Sequence, residues 1–389
     1  MTVCWYDSDD AGATTLNNVA GSFDAVLYAA LVTGYNAKSI TSVSVSGGIA
    51  TATCAGHGYS ASVGKSVDIA GCAVAALNGR KQPLTVTSGA FTFAAVGVAD
   101  TGSAGGTITA KRSPLGWARV ASAGNKSIYA RTDVAATAQV LCLDDSGAGN
   151  ASGTTARVVM AEAWTAADAF TGLAPTAAQR AGGLNVVKGA NSTAAKKWAI
   201  FGDSRLFYIF TEGTSYVFSS FPGLVIGAFG DIVSDRAGDA FHSILSFYPG
   251  EVDGPSGVGK SFALGTGAST DLYLSRLSNQ IGSAISSAAI GSTPGGNLVG
   301  AVGPSYPSPV NNGAVIQTPV LIAESNPSFN NPIRGILPGL AHPLCQGLHV
   351  LHLKSLPNVT GSTRNWVVVA TLNQGSLGAV VIDTTGPWR

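Results

Sequence analysis

Apolar and polar residues alternate with a period of two in several short runs of residues 39–112, a pattern typical of half-buried β-strands. A Gly47-Gly48 pair interrupts the first of these runs. Two adjacent glycines favour a two-residue hairpin loop, because both central positions of that turn require a positive φ angle. The hairpin would place Ser46 opposite Ile49. Its inner face would then carry Val43, Val45, Ala50, Ala52 and Cys54.

Further alternating runs complete a small antiparallel unit. A second turn signal, Asn78-Gly79, precedes runs at residues 85–87, 91–93 and 107–109. We therefore predict a mainly β fold in which residues 38–112 form a small inserted unit, called the β module below. The remaining residues, 1–37 plus 113–389, are predicted to form a discontinuous β-rich host domain.

The host domain is predicted to contain short strands and few helices. One helix is predicted from the helical spacing of Phe23, Val26, Leu27, Ala30 and Leu31. Asn17 or Ser22 would cap this helix and Gly34 would end it. A second short helix is predicted at residues 174–180. Strands are predicted at residues 126–131, 139–143, 156–163, 197–201, 206–211, 215–218, 320–323, 348–353, 366–372 and 378–383.

The segment 250–312 differs from the rest of the host domain. It is rich in Gly, Ser and Pro and poor in large apolar residues. Such a composition supplies little apolar surface with which a segment could order itself. We predict that residues 250–312 form extended loops or an arm that is ordered against neighbouring molecules, and that this arm and the tail 385–389 contribute contacts in an oligomer.

The overall composition narrows the classes of partner. Charged residues make up 11% of the chain against about 25% in an ordinary soluble domain, and 50 of the 389 residues are glycine. This balance favours a β-rich protein with much surface covered by partner subunits. The formal net charge is +1 and Lys and Arg do not form a run, so nucleic-acid binding is not expected. Apolar stretches fall short of the roughly 18–20 residues of a membrane helix, so no membrane insertion is expected.

Cysteine usage and the N-terminal residues favour a protein made in the cytoplasm. The N-terminus lacks a basic region followed by an apolar segment, so no secretory signal is predicted. The five cysteines are dispersed without paired spacing, and we predict that they are reduced, small, buried side chains. They are Cys4, Cys54, Cys72, Cys142 and Cys345.

Several short motifs carry a resemblance to known proteins. Within the β module these are Ala50-Thr51-Ala52-Thr53, Gly56-His57-Gly58-Tyr59, the run from Val63-Gly64-Lys65-Ser66 to Gly71, Leu77-Asn78-Gly79, Phe91-Thr92-Phe93 and Gly105-Gly106-Thr107. In the host domain they are Trp5-Tyr6-Asp7-Ser8, Leu115-Gly116-Trp117, Gly202-Asp203-Ser204-Arg205 with Leu206-Phe207-Tyr208, Phe229-Gly230-Asp231-Ile232-Val233-Ser234, Arg334-Gly335-Ile336-Leu337-Pro338-Gly339-Leu340, and Thr385-Gly386-Pro387-Trp388-Arg389.

The β module resembles a small module seen in many phage proteins, and the host domain resembles a family of tailed-phage virion-associated proteins. The resemblance spans nearly the whole chain. It implies a phage origin and a structural role in the particle.

Residues 254–261 read GPSGVGKS and satisfy the phosphate-loop pattern. A phosphate loop requires a buried strand before it and a helix after it, so that backbone amides and the helix N-terminus converge on the phosphates. Neither the preceding residues nor the Gly-rich residues after Lys260 favour these elements. We interpret the match as fortuitous and predict no nucleotide cofactor.

A second motif has the residue types of a serine hydrolase. Ser204 lies in a Gly-Asp-Ser block, and Asp239 and His242 have the Asp-x-x-His spacing that a serine hydrolase would use. A serine nucleophile requires a base and an orienting carboxylate within hydrogen-bond reach. The alternative is that residues 198–201 form a strand that continues through a bulge into residues 206–210. We favour this structural interpretation.

A third cluster could ligate zinc, because His342, Cys345, His349 and His352 fall within eleven residues. A strand at 348–353 would point His349 and His352 to opposite faces, which disfavours one shared site. Asp144-Asp145 is interpreted as a pair of turn residues. The aromatic residues of 207–221 are interpreted as core. We therefore predict no catalytic residue, no cofactor site and no metal site.

The resemblance, together with the lack of a catalytic constellation in the sequence, implies a non-enzymatic structural component of a tailed-phage virion, associated with the tail, baseplate or tail tip. Its partners would be other copies of itself and other virion proteins, and it would occupy the host cytoplasm during assembly. The alternative is a virion protein that binds a host surface glycan or receptor through the β module or the segment 250–312. A hydrolase acting on host surface polymers is a third hypothesis.

Overall fold

The computed structural model describes residues 2–147, 155–188, 193–218, 221–247, 272–290, 306–308, 310–324, 332–345, 347–373 and 376–389. The N-terminal segment and the β module contain β1 Cys4–Asp7, β2 Tyr35–Ile40, β3 Ser42–Ser46, β4 Ile49–Thr53, β5 Val67–Ala70, β6 Gly79–Lys81, β7 Pro83–Val86, β8 Ala90–Ala94 and β9 Ile108–Arg112. The middle of the chain contains β10 Trp117–Ala123, β11 Lys126–Arg131, β12 Val140–Asp144, β13 Thr155–Ala161, β14 Ala163–Ala166, β15 Ala169–Thr171 and β16 Leu184–Val187.

The C-terminal part contains β17 Trp198–Gly202, β18 Leu206–Phe218, β19 Phe221–Asp231, β20 Val233–Ser234, β21 Ser243–Ser246, β22 Leu272–Leu274, β23 Ile285–Ile290, β24 Ile316–Gln317, β25 Val320–Glu324, β26 Ile333–Leu337, β27 Leu340–Pro343, β28 Trp366–Asn373 and β29 Ser376–Asp383. The helices are α1 Ser22–Tyr28, which continues as a π-helical turn Ala29–Thr33, and two 3₁₀ turns at Ala75–Leu77 and Leu348–Leu351. The fold is mainly β, as the sequence predicts.

The β module consists of two four-stranded sheets, β2-β9-β5-β6 and β3-β4-β8-β7. The predicted Gly47-Gly48 hairpin is confirmed, since Ser46 pairs with Ile49 and both glycines have positive φ. Its predicted inner face is buried between the two sheets, in an apolar cluster drawn from residues 40–110. Incoming β2 pairs antiparallel with outgoing β9, so the chain enters and leaves the module on neighbouring strands.

The large sheet contains 14 of the described strands, in the order β20-β26-β25-β23-β22-β21-β19-β28-β29-β27-β24, with β18, β17 and β1 branching from β19. Both of its faces are covered near β17 and β18. Ile200, Phe207 and Ile209 belong to one buried cluster, while Phe201, Leu206 and Tyr208 belong to another. Burial on both faces explains why 206–210 reads as a continuous apolar run rather than an alternating one.

A five-stranded sheet, β10-β11-β12-β13-β16, packs with α1 against the first of these faces. The first helix ends at Gly34 as predicted, and Gly34 has a φ of 70°. Neither Asn17 nor Ser22 caps its N-terminus by a side-chain bond to its amides. Instead the Asp145 carboxylate accepts hydrogen bonds from Phe23 N at 2.8 Å and Asp24 N at 3.0 Å.

Four predicted elements are corrected by the structure. The segment 250–312 is not simply an arm, because its described part contains β22 and β23, which pair with β21 and β25 inside the large sheet. Residues 348–351 form a 3₁₀ turn rather than a strand. Residues 174–180 contain hydrogen-bonded turns rather than a helix.

The fourth correction concerns residues 198–210. The structure forms a hairpin there and not a bulged strand, since β17 pairs antiparallel with β18 and Trp198 lies opposite Thr211. The Asp203 side chain explains the reversal, because its Oδ1 accepts from Arg205 N at 2.8 Å and from Leu206 N at 2.9 Å. Asp side chains favour turns through such local backbone bonds.

Candidate functional site

The β module meets the host domain at a buried ionic cluster beside β1. Lys65 Nζ donates to Asp7 Oδ2 at 2.6 Å and to Asp10 Oδ1 at 2.5 Å. The Lys65 side chain is only 7% exposed. A buried ammonium is costly unless it is paired, and here two carboxylates of the host domain pair with it.

The last residue of β9 completes this cluster, which we call the module junction (Asp7, Asp10, Tyr35, Lys65 and Arg112). Arg112 donates through Nη2 to the Trp5 carbonyl at 2.7 Å and through Nη1 to the Ser66 carbonyl at 2.9 Å. Its Nη2 lies 3.7 Å from Asp10 Oδ2, which also accepts a 2.7 Å bond from the Tyr35 hydroxyl. The guanidinium therefore links both domains.

Electrostatics keep Asp10 and Arg112 charged in the junction. Burial by itself would raise the pKa of Asp10, but Arg112 and Lys65 outweigh burial and hold that pKa below its usual value. Burial disfavours the charged form of Arg112 as well, and by itself would lower the pKa of this side chain. The nearby Asp10 and Tyr35 outweigh burial, so the pKa of Arg112 is raised above its usual value. Burial raises the pKa of Tyr35 well above its usual value, which keeps the hydroxyl protonated as a donor.

Aromatic contacts extend the junction into the large sheet. Lys65 Nζ lies 4.0 Å from the centroid of the Trp5 ring, and Trp5 stacks on Phe201 with centroids 5.3 Å apart. The Trp5 indole also donates to the Val63 carbonyl at 2.8 Å. Gly64 has a φ of +87°, and a β-carbon there would lie 2.8 Å from the Trp5 ring. A glycine is therefore needed where the module's loop crosses Trp5.

The other motifs quoted from the host domain meet in a second buried set. The Trp117 ring packs edge-on against Phe207 and Phe229, and its indole donates to the Asp203 carbonyl at 3.0 Å. Arg389 lies 3.4 Å from Asp203 Oδ2.

The C-terminal motif closes this set from the opposite face of the sheet. Trp388 packs on Tyr208 with ring centroids 5.6 Å apart, and the Tyr208 hydroxyl donates to the Pro338 carbonyl at 2.8 Å. Gly339 lies directly against the Trp388 indole, where a β-carbon would overlap the ring. Segments far apart in the sequence are thus joined in one structural unit.

The residues of the hydrolase hypothesis bind different partners. Ser204 Oγ donates to Asp133 Oδ2 at 2.7 Å. The His242 ring contacts the Asp239 carbonyl through Nδ1, and its Nε2 lies 3.8 Å from Asp231 Oδ2. The Asp239 carboxylate is held by the buried Arg334 guanidinium at 2.6 and 2.8 Å. Each of these side chains therefore belongs to an ion-pair or turn network of the host domain.

The histidine cluster is dispersed by the fold. His342 lies buried in β27, Cys345 lies buried beyond that strand, and His349 lies in the 3₁₀ turn. His352 Nδ1 accepts from Ala370 N at 3.1 Å, and burial lowers the pKa of this ring to about 4. In the described ranges, groups of three His, Cys, Asp or Glu residues placed to hold a metal ion are absent.

The structure also bears on the Asp144-Asp145 pair and the five cysteines, but not on the phosphate-loop match. Asp144 is the last residue of strand β12 rather than a turn residue, and its Oδ1 accepts from Ser146 N at 3.0 Å just beyond the strand. Asp145 instead caps α1 and pairs with the buried Lys188. The phosphate-loop match at 254–261 lies outside the described residues. All five cysteines are buried and free, as predicted.

The sequence interpretation missed the module junction, although one signal was available. Ile108, Ala110 and Arg112 share the buried phase of β9, so an arginine occupies a position that the alternation reserves for an apolar side chain. Charged residues are almost never buried without a partner. Arg112 therefore indicated a buried ion pair, but the sequence could not identify Asp10 as its partner.

Comparison with known proteins does not extend this description. No protein-family model matches the chain, and no curated protein sequence matches it either. Within the part of the chain that the structure covers, no helix has the length and apolar character needed to cross a membrane.

Proposed function

We propose that this protein is a non-enzymatic structural component of a tailed-phage particle, located in the tail, baseplate or tail tip. One observation carries the proposal. Several of the separate motifs that resemble tailed-phage virion proteins meet in space. Those around Trp5 and Lys65 meet at the module junction, and those around Trp117, Tyr208 and Trp388 meet in the second buried set.

The character of those contacts supports a structural role. The motif residues that meet at these two places include buried aromatic rings, buried ion pairs and close-approach glycines, which are the kinds of residue that determine how β-strands pack. A resemblance concentrated in such positions concerns the scaffold rather than a surface site. The resemblance therefore supports a fold shared with those virion proteins, and with it a structural role in the particle.

The module junction supports a role in presenting the β module. Two neighbouring strands connect the module to the host domain, and chain connections of that kind alone would permit hinge motion. The buried contacts of Lys65 with Asp7 and of Arg112 with the Trp5 carbonyl add fixed points where the module meets the N-terminal segment. A β module held in a defined orientation is suited to contact neighbouring subunits in an ordered assembly.

The proposal is tested on purified particles. Quantitative mass spectrometry should find this protein at a fixed copy number, a multiple of three or six, and an antibody against the β module should label the tail end in electron micrographs. Abundant protein in the lysate but none in particles would overturn the proposal. The receptor-binding alternative predicts in addition that the free protein competes with particles for adsorption to cells.

A further inference from the structure

A cavity of about 410 Å³ opens on the face of the five-stranded sheet that points away from the large sheet. Strands β12 and β13 form its floor, and the hairpin β14–β15 and the segment 173–183 form its walls. Its volume lies within the range of roughly 300–1,000 Å³ that is typical of small-molecule sites. The proposed structural function does not use this cavity.

The floor and one wall of the cavity are apolar. Cys142 and Val159 lie directly opposite each other on β12 and β13, so their side chains stand side by side and form a flat floor. Burial raises the pKa of the Cys142 thiol to about 12, so this side chain is neutral and behaves as a small apolar group. Phe170 and Leu173 in the wall are only partly buried, which leaves apolar surface facing the cavity.

The charged groups at one end of the floor have partners within the protein. Lys126, Asp144 and Arg157 lie opposite one another on β11, β12 and β13, so the two basic side chains flank the carboxylate. Lys126 Nζ lies 3.6 Å from Asp144 Oδ2. Arg157 Nη1 donates to the Ala181 carbonyl at 3.1 Å. These charges therefore serve contacts of the protein itself.

The other two charged residues of the lining do not change this picture. Arg180 also has an interaction partner, and Asp168 is exposed to water on the turn of the hairpin β14–β15. A charged ligand would lose hydration on entering the cavity and would have to compete with these existing contacts for a countercharge. Burying a charge without a dedicated partner is costly, whereas a neutral apolar molecule has no such cost.

Two glycines keep one end of the cavity free of side chains. Gly182 and Gly183 have φ angles of +75° and +85°. A β-carbon at Gly182 would collide with the Arg157 guanidinium, and one at Gly183 would collide with Val159. Bare backbone therefore forms this wall, and the space above the floor stays open.

We propose that this cavity binds a neutral molecule with a flat apolar body, such as a compound of two or three aromatic rings. The flat body lies on the floor at Cys142 and Val159 and packs against Phe170 and Leu173. Its affinity comes from apolar surface removed from water, at about 25 cal/mol per Å², and from contact with the Phe170 ring. The chemistry of the lining thus selects for shape and against charge.

The test is a fluorescence titration of the purified full-length chain with N-phenyl-1-naphthylamine, a neutral probe that brightens in apolar surroundings. Its counterpart, 8-anilino-1-naphthalenesulfonate, has the same ring system and one negative charge. We expect the neutral probe to bind at least about tenfold more tightly, because the sulfonate must give up hydration to enter. Equal or tighter binding of the sulfonate, or no binding of the neutral probe up to its solubility limit, would overturn the proposal.

Two tryptophan variants locate the binding. Ala177 lies in the exposed wall of the cavity, so Ala177→Trp should fill the space and weaken binding of the neutral probe at least about tenfold. Ala178→Trp is the matched control, since its exposed neighbour Ala178 lies outside the lining. This control should leave the affinity unchanged. Equal affinities of the two variants, at the melting temperature of the parent protein, would refute the site.

A third variant keeps the test decisive if Ala177→Trp does not fold. Phe170→Ala removes the aromatic ring from the wall and should weaken binding of the neutral probe about threefold to tenfold. An unchanged affinity in the folded Phe170→Ala protein would refute the proposed position of the ligand. None of these results depends on whether the protein is found in particles.

Discussion

Several ion pairs of this charge-poor chain are almost completely buried. Arg131 pairs with Asp231, Lys188 with Asp145, and Arg334 with Asp239, and each of these side chains is at most 1% exposed. Burying a charge is expensive, and the pair recovers that cost only when both partners are in place. The charged residues of these buried pairs therefore fix how distant segments of the chain are placed against each other, rather than making the surface soluble.

Lys65 gives the sharpest test at this scale. We expect Lys65→Met to lower the free energy of unfolding by about 3–5 kcal/mol, because it leaves Asp7 and Asp10 buried beside an apolar side chain. Lys197→Met is the matched control, since Lys197 pairs with Asp9 in a contact whose side chains are 49% and 65% exposed. Exposed pairs contribute at most about 1 kcal/mol. Urea unfolding of both variants measures the difference, and equal losses would contradict the junction's role.

Acid should destabilise the protein in part by protonating the Asp133 carboxylate. Burial raises the pKa of Asp133, but hydrogen bonds from Ser204 and the Ala135 amide, together with Arg205, outweigh burial and lower this pKa to about 2, against an ordinary value of 3.8. The unfolded chain therefore binds protons at a higher pH than the folded protein does. The stabilisation from Asp133 is fully present above about pH 4 and is lost as the pH falls to about 2.

Asp133→Asn checks this prediction. The variant should show a shallower loss of melting temperature between pH 4 and pH 2 than the parent protein does, because it no longer takes up that proton on unfolding. A pH dependence identical to that of the parent, or an NMR titration of the Asp133 carboxyl near 3.8, would contradict the assignment.

Among the elements, the β module is the most self-contained. Its buried cluster uses residues 40–110, and its two sheets pair internally. We expect residues 35–112 to fold alone, because strand β2 begins at Tyr35 and a unit of this size can hold a modest core. A dispersed amide spectrum of the isolated segment would support the prediction, and a collapsed one would refute it.

Two glycines of the module have the same φ of +79°. Substituting each of them tests how closely the end of β5 packs against the start of β9. A β-carbon at Gly71 would overlap the Thr107 carbonyl, whereas one at Gly97 would meet nothing within 4 Å. Gly97→Ala should therefore cost only the conformational penalty of about 1–2 kcal/mol. Gly71→Ala should cost clearly more in the same urea titration, because it adds a steric clash with the backbone. Equal costs would show that the β5–β9 contact is looser than the structure indicates.

At the scale of the whole molecule, the large sheet changes the expectation for residues 250–312. An arm could be deleted with little loss of stability, but β22 and β23 connect β21 to β25 through the sheet. Deleting residues 272–290 should therefore abolish the folded state rather than weaken assembly alone. Soluble expression and circular dichroism of this deletion variant would measure the outcome, and a folded, unassembled monomer would favour the original arm interpretation.

Assembly remains a prediction of the proposed function. Apolar side chains such as Val134, Ile281 and Val310 are 103%, 70% and 92% exposed in the single chain. We expect symmetric neighbours to cover such positions, with threefold or sixfold symmetry that matches a tail axis. Light scattering after gel filtration should give the mass of a trimer or hexamer. A stable monomer at micromolar concentration would contradict this expectation.

The sequence by itself determined the mainly β class, the Gly47-Gly48 hairpin with its register, and the end of the first helix at Gly34. Each of these depends on residues close together in the chain, where turn geometry and the two-residue period act directly. The strand candidates at 126–131, 320–323 and 366–372 were predictable for the same reason, and β11, β25 and β28 occupy them.

Only the tertiary structure decided how distant segments meet. Asp145 caps a helix more than 100 residues away, and Lys65 and Arg112 find their carboxylates in the N-terminal segment. Strand β23 consists mainly of Ser and Ala, so it carries no amphipathic signal, and its place is set by its neighbours β22 and β25. Pairing across long sequence separations depends on three-dimensional packing, which no local pattern of side chains encodes.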